Sequence, residues 1–190
     1  MNAVRWSYRT RQFWQALELR NLGLSRTKGL ADLEQARTVL SAPLFAIFNR
    51  LQPSEQAHSL RVLQALQAQG ENQPDLLAAA LLHDVGKIRM PLRLWERVLI
   101  VLVHPAEQTN QSGWRRSFAK FIISLKITNK ALLVAENHAA WGAEMAASAG
   151  ASPLTVSLIR RHQEKLSPPN TLISLEDQLL WKLQTVDDEN

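Results

Sequence analysis

An all-α helical bundle is the fold class this sequence predicts, and three observations carry the expectation. Almost every segment places its apolar residues at the three-and-four spacing of a helix face. Stretches with the alternation of a strand are sparse. The punctuation is also helical, with prolines opening segments and glycines closing them, as from Pro53 to Gly70.

Residues 9–20 and 30–40 are expected as the first helices, joined by the flexible link "NLGLSRTKG". Ser41 is placed to cap a helix carrying Leu44, Ile47, Phe48 and Leu51. Pro53 opens "PSEQAHSLRVLQALQAQG", which closes at Gly70, and Pro74 opens "PDLLAAALLHDVG", with Gly86 expected as its stop. Further helices are expected over 92–104, 114–127 and 130–138, followed by "WGAEMAASAG" ending at Gly150. Ser152-Pro153 starts "SPLTVSLIRRHQEK", and Ser174 with Asp177 three residues later caps "SLEDQLLWKLQTVDD".

A chain of 190 residues that is 46% hydrophobic can bury one sizeable core. The absence of cysteine removes disulfides, thiolate zinc sites and cysteine nucleophiles, so any metal must be held by His and carboxylates. Twenty-two Lys+Arg against 17 Asp+Glu give a net charge of +5, which favours phosphate-bearing ligands. The basic residues are scattered, not drawn into a stripe, so nucleic acid is not the expected partner. The N-terminal "RWSYRTRQFW" reads as an amphipathic helix start. No apolar run reaches the roughly 20 residues of a membrane span, and the N-terminus lacks the apolar core of a signal peptide. A cytoplasmic location is the expectation; the oligomeric state is not legible.

Five histidines are present: His58, His83, His104, His138 and His162. His58 shares a helical stripe with Val62, Ala65 and Leu66, and His83 with Leu76, Ala79 and Ala80. His162 follows Leu158 and Ile159, and Asp187 follows Leu180 and Leu183. In each case an ionisable residue interrupts the face that should meet the core. Buried groups of this kind need partners, and a divalent metal satisfies several together. A buried His–Asp network without metal is the other reading. His83 and Asp84 differ in direction by about 100° on a helix, so they can flank one ion, or the Asp can reach between two.

In this order the motifs resemble the HD superfamily of metal-dependent phosphohydrolases, named for its His-Asp doublet. "AHSLRVLQAL" resembles the helix of the first histidine, "AALLHDVGK" that of the doublet and "LLWKLQTVDDEN" that of the final aspartate. "ENHAAWGAEMAASAG" and "SLIRRHQEK" resemble the additional histidine segments of two-metal members. The resemblance covers roughly residues 50 to 188 and implies an HD domain over 51–190, with residues 1–50 as a helical extension packed on it. It also implies that His58, His83, Asp84 and Asp187 hold a first metal, with Asp187 preferred to Asp188 because it lies one turn beyond Leu183. His138 and His162 would extend the site to a second ion, with Asp84 bridging. His104 has no place in the pattern and is read as a surface residue. Gln163 stands where the cyclic-dinucleotide phosphodiesterase branch has a further histidine, and that branch's Gly-Tyr-Pro signature is absent.

The chemistry implied is hydrolysis of a phosphoester or phosphoanhydride, of a nucleotide or other phosphorylated small molecule, by a metal-activated water. The metal would be Mn, Fe, Mg or Ni, as one or two ions. Asp84 and Lys87 are the catalytic candidates, and Lys87 and Arg61 the candidates for phosphate contact. Lys87 could equally complement the dipole at its helix end, and Arg61 suits a surface ion pair. Glu136, two residues before His138, is a candidate general base, and Trp114-Arg115-Arg116 a candidate substrate rim. Two other functions fit the same residues: a diiron oxygenase on this fold, and a catalytically silent HD module that binds a nucleotide or a protein.

Overall fold

The computed structural model describes residues 26–91, 126–164, 166 and 174–190. The helices expected over 9–20 and 92–104, most of that over 114–127, the Trp114-Arg115-Arg116 rim and His104 lie outside these residues. Among the described residues there are seven α-helices, one 3-10 helix and no strand. They are α1 (Arg26–Val39), α2 (Ala42–Phe48), α3 (Pro53–Ala68), α4 (Pro74–Leu82), the 3-10 helix (Val85–Arg89), α5 (Lys126–Ser148), α6 (Pro153–Arg161) and α7 (Leu175–Glu189).

Helix α4 is the axis of the molecule. Its "LLAAALL" run, Leu76 to Leu82, is buried on every side, because α1, α3, α6 and α7 all pack against it. Small alanines at 78–80 let those neighbours approach closely, and the leucines fill the space between them. Phe48, Val62, Leu63, Leu66, Leu158, Ile159, Leu180 and Leu183 complete the core around it. Ala36, Leu44 and Phe48 of the first two helices, with Leu40 at their junction, belong to the same apolar cluster. Among the described residues no helix is long and apolar enough to cross a membrane.

The helix starts follow local chemistry. Gln52 caps α3 in a reciprocal box, its main-chain N–H donating to Glu55 at 3.2 Å. Gln73 accepts from Leu76 N–H at 2.7 Å, Ser152 from Thr155 at 3.0 Å and Ser174 from Asp177 at 3.1 Å. Ser41 does occupy the cap position of α2, but its side chain makes no capping bond. Gly70 and Gly150 end α3 and α5 with φ of +84°, the left-handed conformation that favours glycine.

Three expectations need correction. The link expected at "NLGLSRTKG" is helical from Arg26, where α1 begins. The segments around 130–138 and 141–150 form one 23-residue helix, α5, not two. Gly86 does not stop α4: the α-helix ends at Leu82, the chain turns through His83 and Asp84, and Gly86 sits inside the 3-10 helix. Its reason is proximity. A Cβ on Gly86 would lie 1.9 Å from the His138 carbonyl oxygen and 2.7 Å from Gly142 N, where no atom fits. Gly86 and Gly142 therefore let the turn carrying the doublet rest directly on the backbone of α5.

Candidate metal centre

Four helices and one turn deliver the ionisable groups to a single place. His58 comes from the middle of α3, His83 and Asp84 from the turn after α4, and His138 from α5. His162 comes from the end of α6 and Asp187 from the last turn of α7. His58, His83, Asp84, His138 and His162 are all buried. The imidazoles form a chain of edge-to-face contacts, His58 to His83 at 5.3 Å between centroids, His83 to His162 at 5.3 Å and His162 to His138 at 5.1 Å.

Asp84 lies between them. One carboxylate oxygen is 3.6 Å from His83 Nε2 and 2.5 Å from Lys87 Nζ; the other is 3.4 Å from His138 Nε2. Asp187 Oδ1 is 2.7 Å from His58 Nε2 and 3.5 Å from His83 Nε2. The buried donors form two triads that share one carboxylate, His58–His83–Asp84 and Asp84–His138–His162, and each could hold a metal ion.

The ring orientations are set from behind. Nδ1–H of His83 donates to the Ala80 carbonyl at 2.9 Å, that of His138 to Val134 at 2.8 Å and that of His162 to Ile159 at 2.7 Å. A carbonyl only accepts, so a proton sits on Nδ1, and in the neutral ring Nε2 is the atom that presents a lone pair. This is the arrangement that metal-ligating histidines use. His58 differs, because its buried Nδ1 has no partner and its ring is held through Nε2 by Asp187.

The electrostatics match this picture. Burial, then the neighbouring His83, pushes His162 down to about 3, so its ring is neutral at pH 7. Burial alone would raise the Asp84 carboxyl; Lys87, His83 and His138 outweigh it and hold the group well below the usual range. Asp187 is likewise raised by burial but brought down to about 2 by His83 and His58. A neutral His162 beside carboxylates that stay ionised suits the binding of a divalent metal.

Two features of the donor atoms fit an ion. His83 Nε2 is buried without a hydrogen-bond partner, a costly state for a polar atom unless something binds it. The separations of 3.4, 3.5 and 3.6 Å between Nε2 atoms and carboxylate oxygens are long for hydrogen bonds. Two donors about 2.1 Å from one ion at tetrahedral angles lie about 3.4 Å apart.

Other candidates fall elsewhere. Lys87 is in the cluster through Asp84, with its side chain 31% exposed. Arg61, one turn after His58 on α3, is half-buried. Asp188 and Glu136 are exposed, while Trp141 and Met145 are half-buried on α5. Arg160 is exposed, whereas Arg161 is drawn into ion pairs with Glu164, Glu176 and Asp177.

Sequence reasoning missed the carbonyls behind the rings and the packing role of Gly86. The first had a weak signal: His83 and His162 each follow a helix of nine residues, where a side chain can reach back to the carbonyl three residues earlier. Comparison with protein-family models, with curated proteins and with solved structures gives no match for this chain.

Proposed function

We propose that the chain is an HD-type metal-dependent phosphohydrolase, acting on a phosphoester or phosphoanhydride of a nucleotide or other phosphorylated small molecule. The observation that carries this reading is Asp84, one buried carboxylate shared by two His-containing triads. In this reading His58, His83, Asp84 and Asp187 hold one divalent ion, and His138 and His162 extend the site to a second. Residues 51–190 are the catalytic unit, and residues 1–50 are an extension that lends Leu44 and Phe48 to its core.

A divalent ion bound there would supply Lewis acidity, lowering the pKa of a bound water toward about 7 and drawing charge from a phosphoryl oxygen. The chain's own groups do the rest. The carbonyls of Ala80, Val134 and Ile159 keep three rings in the donor tautomer. Asp84, kept ionised by Lys87 and the imidazoles, supplies the negative charge that a cluster of cations requires. The two most exposed members, Lys87 at 31% and Asp187 at 26%, mark where solvent and substrate reach the cluster. Lys87 holds Asp84 with one N–H and has others for a phosphate oxygen. Arg61 is a second phosphate contact in this proposal.

Elemental analysis of the native protein, followed by a phosphatase and phosphodiesterase panel with Mn²⁺, Fe²⁺, Mg²⁺ and Ni²⁺, tests the reading. Asp84→Ala is expected to lose bound metal and to bring hydrolysis to background together, because one carboxylate serves both triads. Thermal melts with and without chelator complete the test. If chelator leaves the wild-type midpoint unchanged and no metal is found, the cluster is a structural His–Asp network and the proposal fails. Iron with oxygen uptake and no phosphate release would replace it with the oxygenase.

A further inference from the structure

Helix α6 lacks the ending that α3 and α5 have. No glycine follows it, since its C-terminal residues run Arg161, His162, Gln163, Glu164. The last carbonyls of a helix have no partner within the helix and must find one elsewhere. The Ile159 carbonyl takes the His162 ring N–H and that of Arg161 the Glu164 N–H at 2.8 Å, and the carbonyls of the turn beyond are met from α7. The side-chain amide of Gln184 lies 2.9 Å from the His162 carbonyl oxygen, 2.7 Å from that of Glu164 and 3.4 Å from that of Arg161. One amide from another helix therefore closes the turn that carries His162. The same helix brings Asp187 to His58 and His83 one turn further on.

We infer that Gln184 is a positioning residue for His162, so that the triad containing His162 depends on α7 although α7 gives it no ligand. The inference rests on the reading of the cluster as a metal centre. The ring of His162 is fixed by its own backbone, through Nδ1–H to Ile159. Helix α6 itself is seated on α5 and α4, with Leu158 and Ile159 buried in the core; the contact with α7 acts on the turn beyond it. Without the amide, the His162 and Glu164 carbonyls lose their donor and must turn toward water, and the turn moves with them, while the Arg161 carbonyl keeps the Glu164 N–H at 2.8 Å. His83 is held by the Ala80 carbonyl and His58 by Asp187, which sits one turn further along α7 and clear of the amide, so both keep their places.

The experiment titrates Mn²⁺ into the full-length chain after metal removal, by calorimetry, and follows the imidazole resonances of the metal-free protein by NMR. Wild type is expected to bind two Mn²⁺ per chain. Gln184→Leu, of similar size but with no donor, should bind one as wild type does and the second at least about tenfold more weakly, the scale set by loss of a supporting hydrogen bond around a ligand. In the metal-free variant the His162 resonances should shift while those of His58 stay. Gln184→Lys, which restores N–H donors at similar reach, should recover the second ion. Arg161→Met removes the ion pairs to Glu176 and Asp177 and loosens the same two helices without touching the amide, so it should keep both ions.

If Gln184→Leu loads both ions like wild type and His162 does not move, the inference is overturned. Loss of both ions together would also overturn it, because Gln184 would then support the whole fold. Wild type binding no Mn²⁺ would end the metal reading, and the positioning claim would be decided by the His162 resonances alone. Should Gln184→Leu not reach the wild-type helical circular dichroism, Gln184→Glu, which puts an acceptor against three carbonyls, is judged by the same measurements.

Discussion

Helices α3 and α5 end in glycine, whereas α4 and α6 end in histidine. At the glycine ends the main chain satisfies itself. Glu71 N–H donates to the Leu66 carbonyl at 3.1 Å and Ala151 N–H to that of Ala146 at 3.0 Å, across a left-handed residue. Both glycines are exposed, and a Cβ on either would meet nothing within 4 Å. At the histidine ends the ring of the cap residue meets one carbonyl, that of Ala80 or Ile159, and the cap residue itself stays in the right-handed region. The same bond leaves Nε2 aimed away from the helix and into the cluster. One kind of ending turns the chain at the surface; the other aims an imidazole at the site.

Predictions that test this contrast begin with the turn after His83. Gly86→Ala sets a Cβ against backbone, not against a yielding side chain, so the turn must lift off α5 and carry Asp84 away from His138. Overpacking of this kind is expected to cost about 3 kcal/mol, or a fall of about 10 °C in Tm at ~3 °C per kcal/mol for a chain of this size. Metal occupancy should fall with it. Gly142→Ala, whose nearest contacts would be 3.2 and 3.3 Å, should cost much less. Equal costs for the two variants would mean that the crossing is not as close as described.

The second expectation is a pH effect on the metal-free protein. The folded chain holds His162 at about 3 against an ordinary 6.5, so below 6.5 the unfolded chain takes up a proton that the folded chain refuses. The stabilising contribution is complete above pH 6.5 and is lost as pH falls toward about 3, by at most about 1.4 kcal/mol per pH unit for one proton. Asp187, brought to about 2, adds loss of the same sign below its ordinary 3.8. Urea unfolding in chelator from pH 7 to pH 4 should show the decline, and His162→Gln should flatten it. Parallel profiles for the two proteins would mean that His162 is not held neutral.

The smallest effect belongs to the glycine ends. Gly70→Ala and Gly150→Ala should each cost about 1 kcal/mol, the strain of a left-handed alanine, and leave metal occupancy untouched. A change in metal content in either variant would erase the distinction between the two kinds of ending.

What was legible in the sequence was local. The stripe joining His58 to Val62 and Leu66 shows which face of α3 turns inward, and Ser152 and Ser174 cap helices through bonds three residues long. Gly70 and Gly150 end helices by a conformation that depends on their own backbone. What was not legible depends on distant partners. Gly142 is an unremarked glycine inside "WGAEMAASAG" until Gly86 is seen against it. Gln184 is one more polar residue on α7 until the end of α6 is placed beside it. Ser41 has the residue type of a cap, yet its side chain bonds nothing there. Nothing in one chain's local pattern distinguishes such a position from one where the bond forms.

The three rings that donate through Nδ1 have main-chain partners, not carboxylate side chains. This changes what mutation can reach. Where a histidine leans on an aspartate, a single base change can delete the support. Here substitutions at Ala80, Val134 or Ile159 alter side chains and leave the accepting carbonyl in place as long as the helix persists. Loss of these three ring supports must therefore come through the backbone, by a break or shift of the helix that carries the carbonyl.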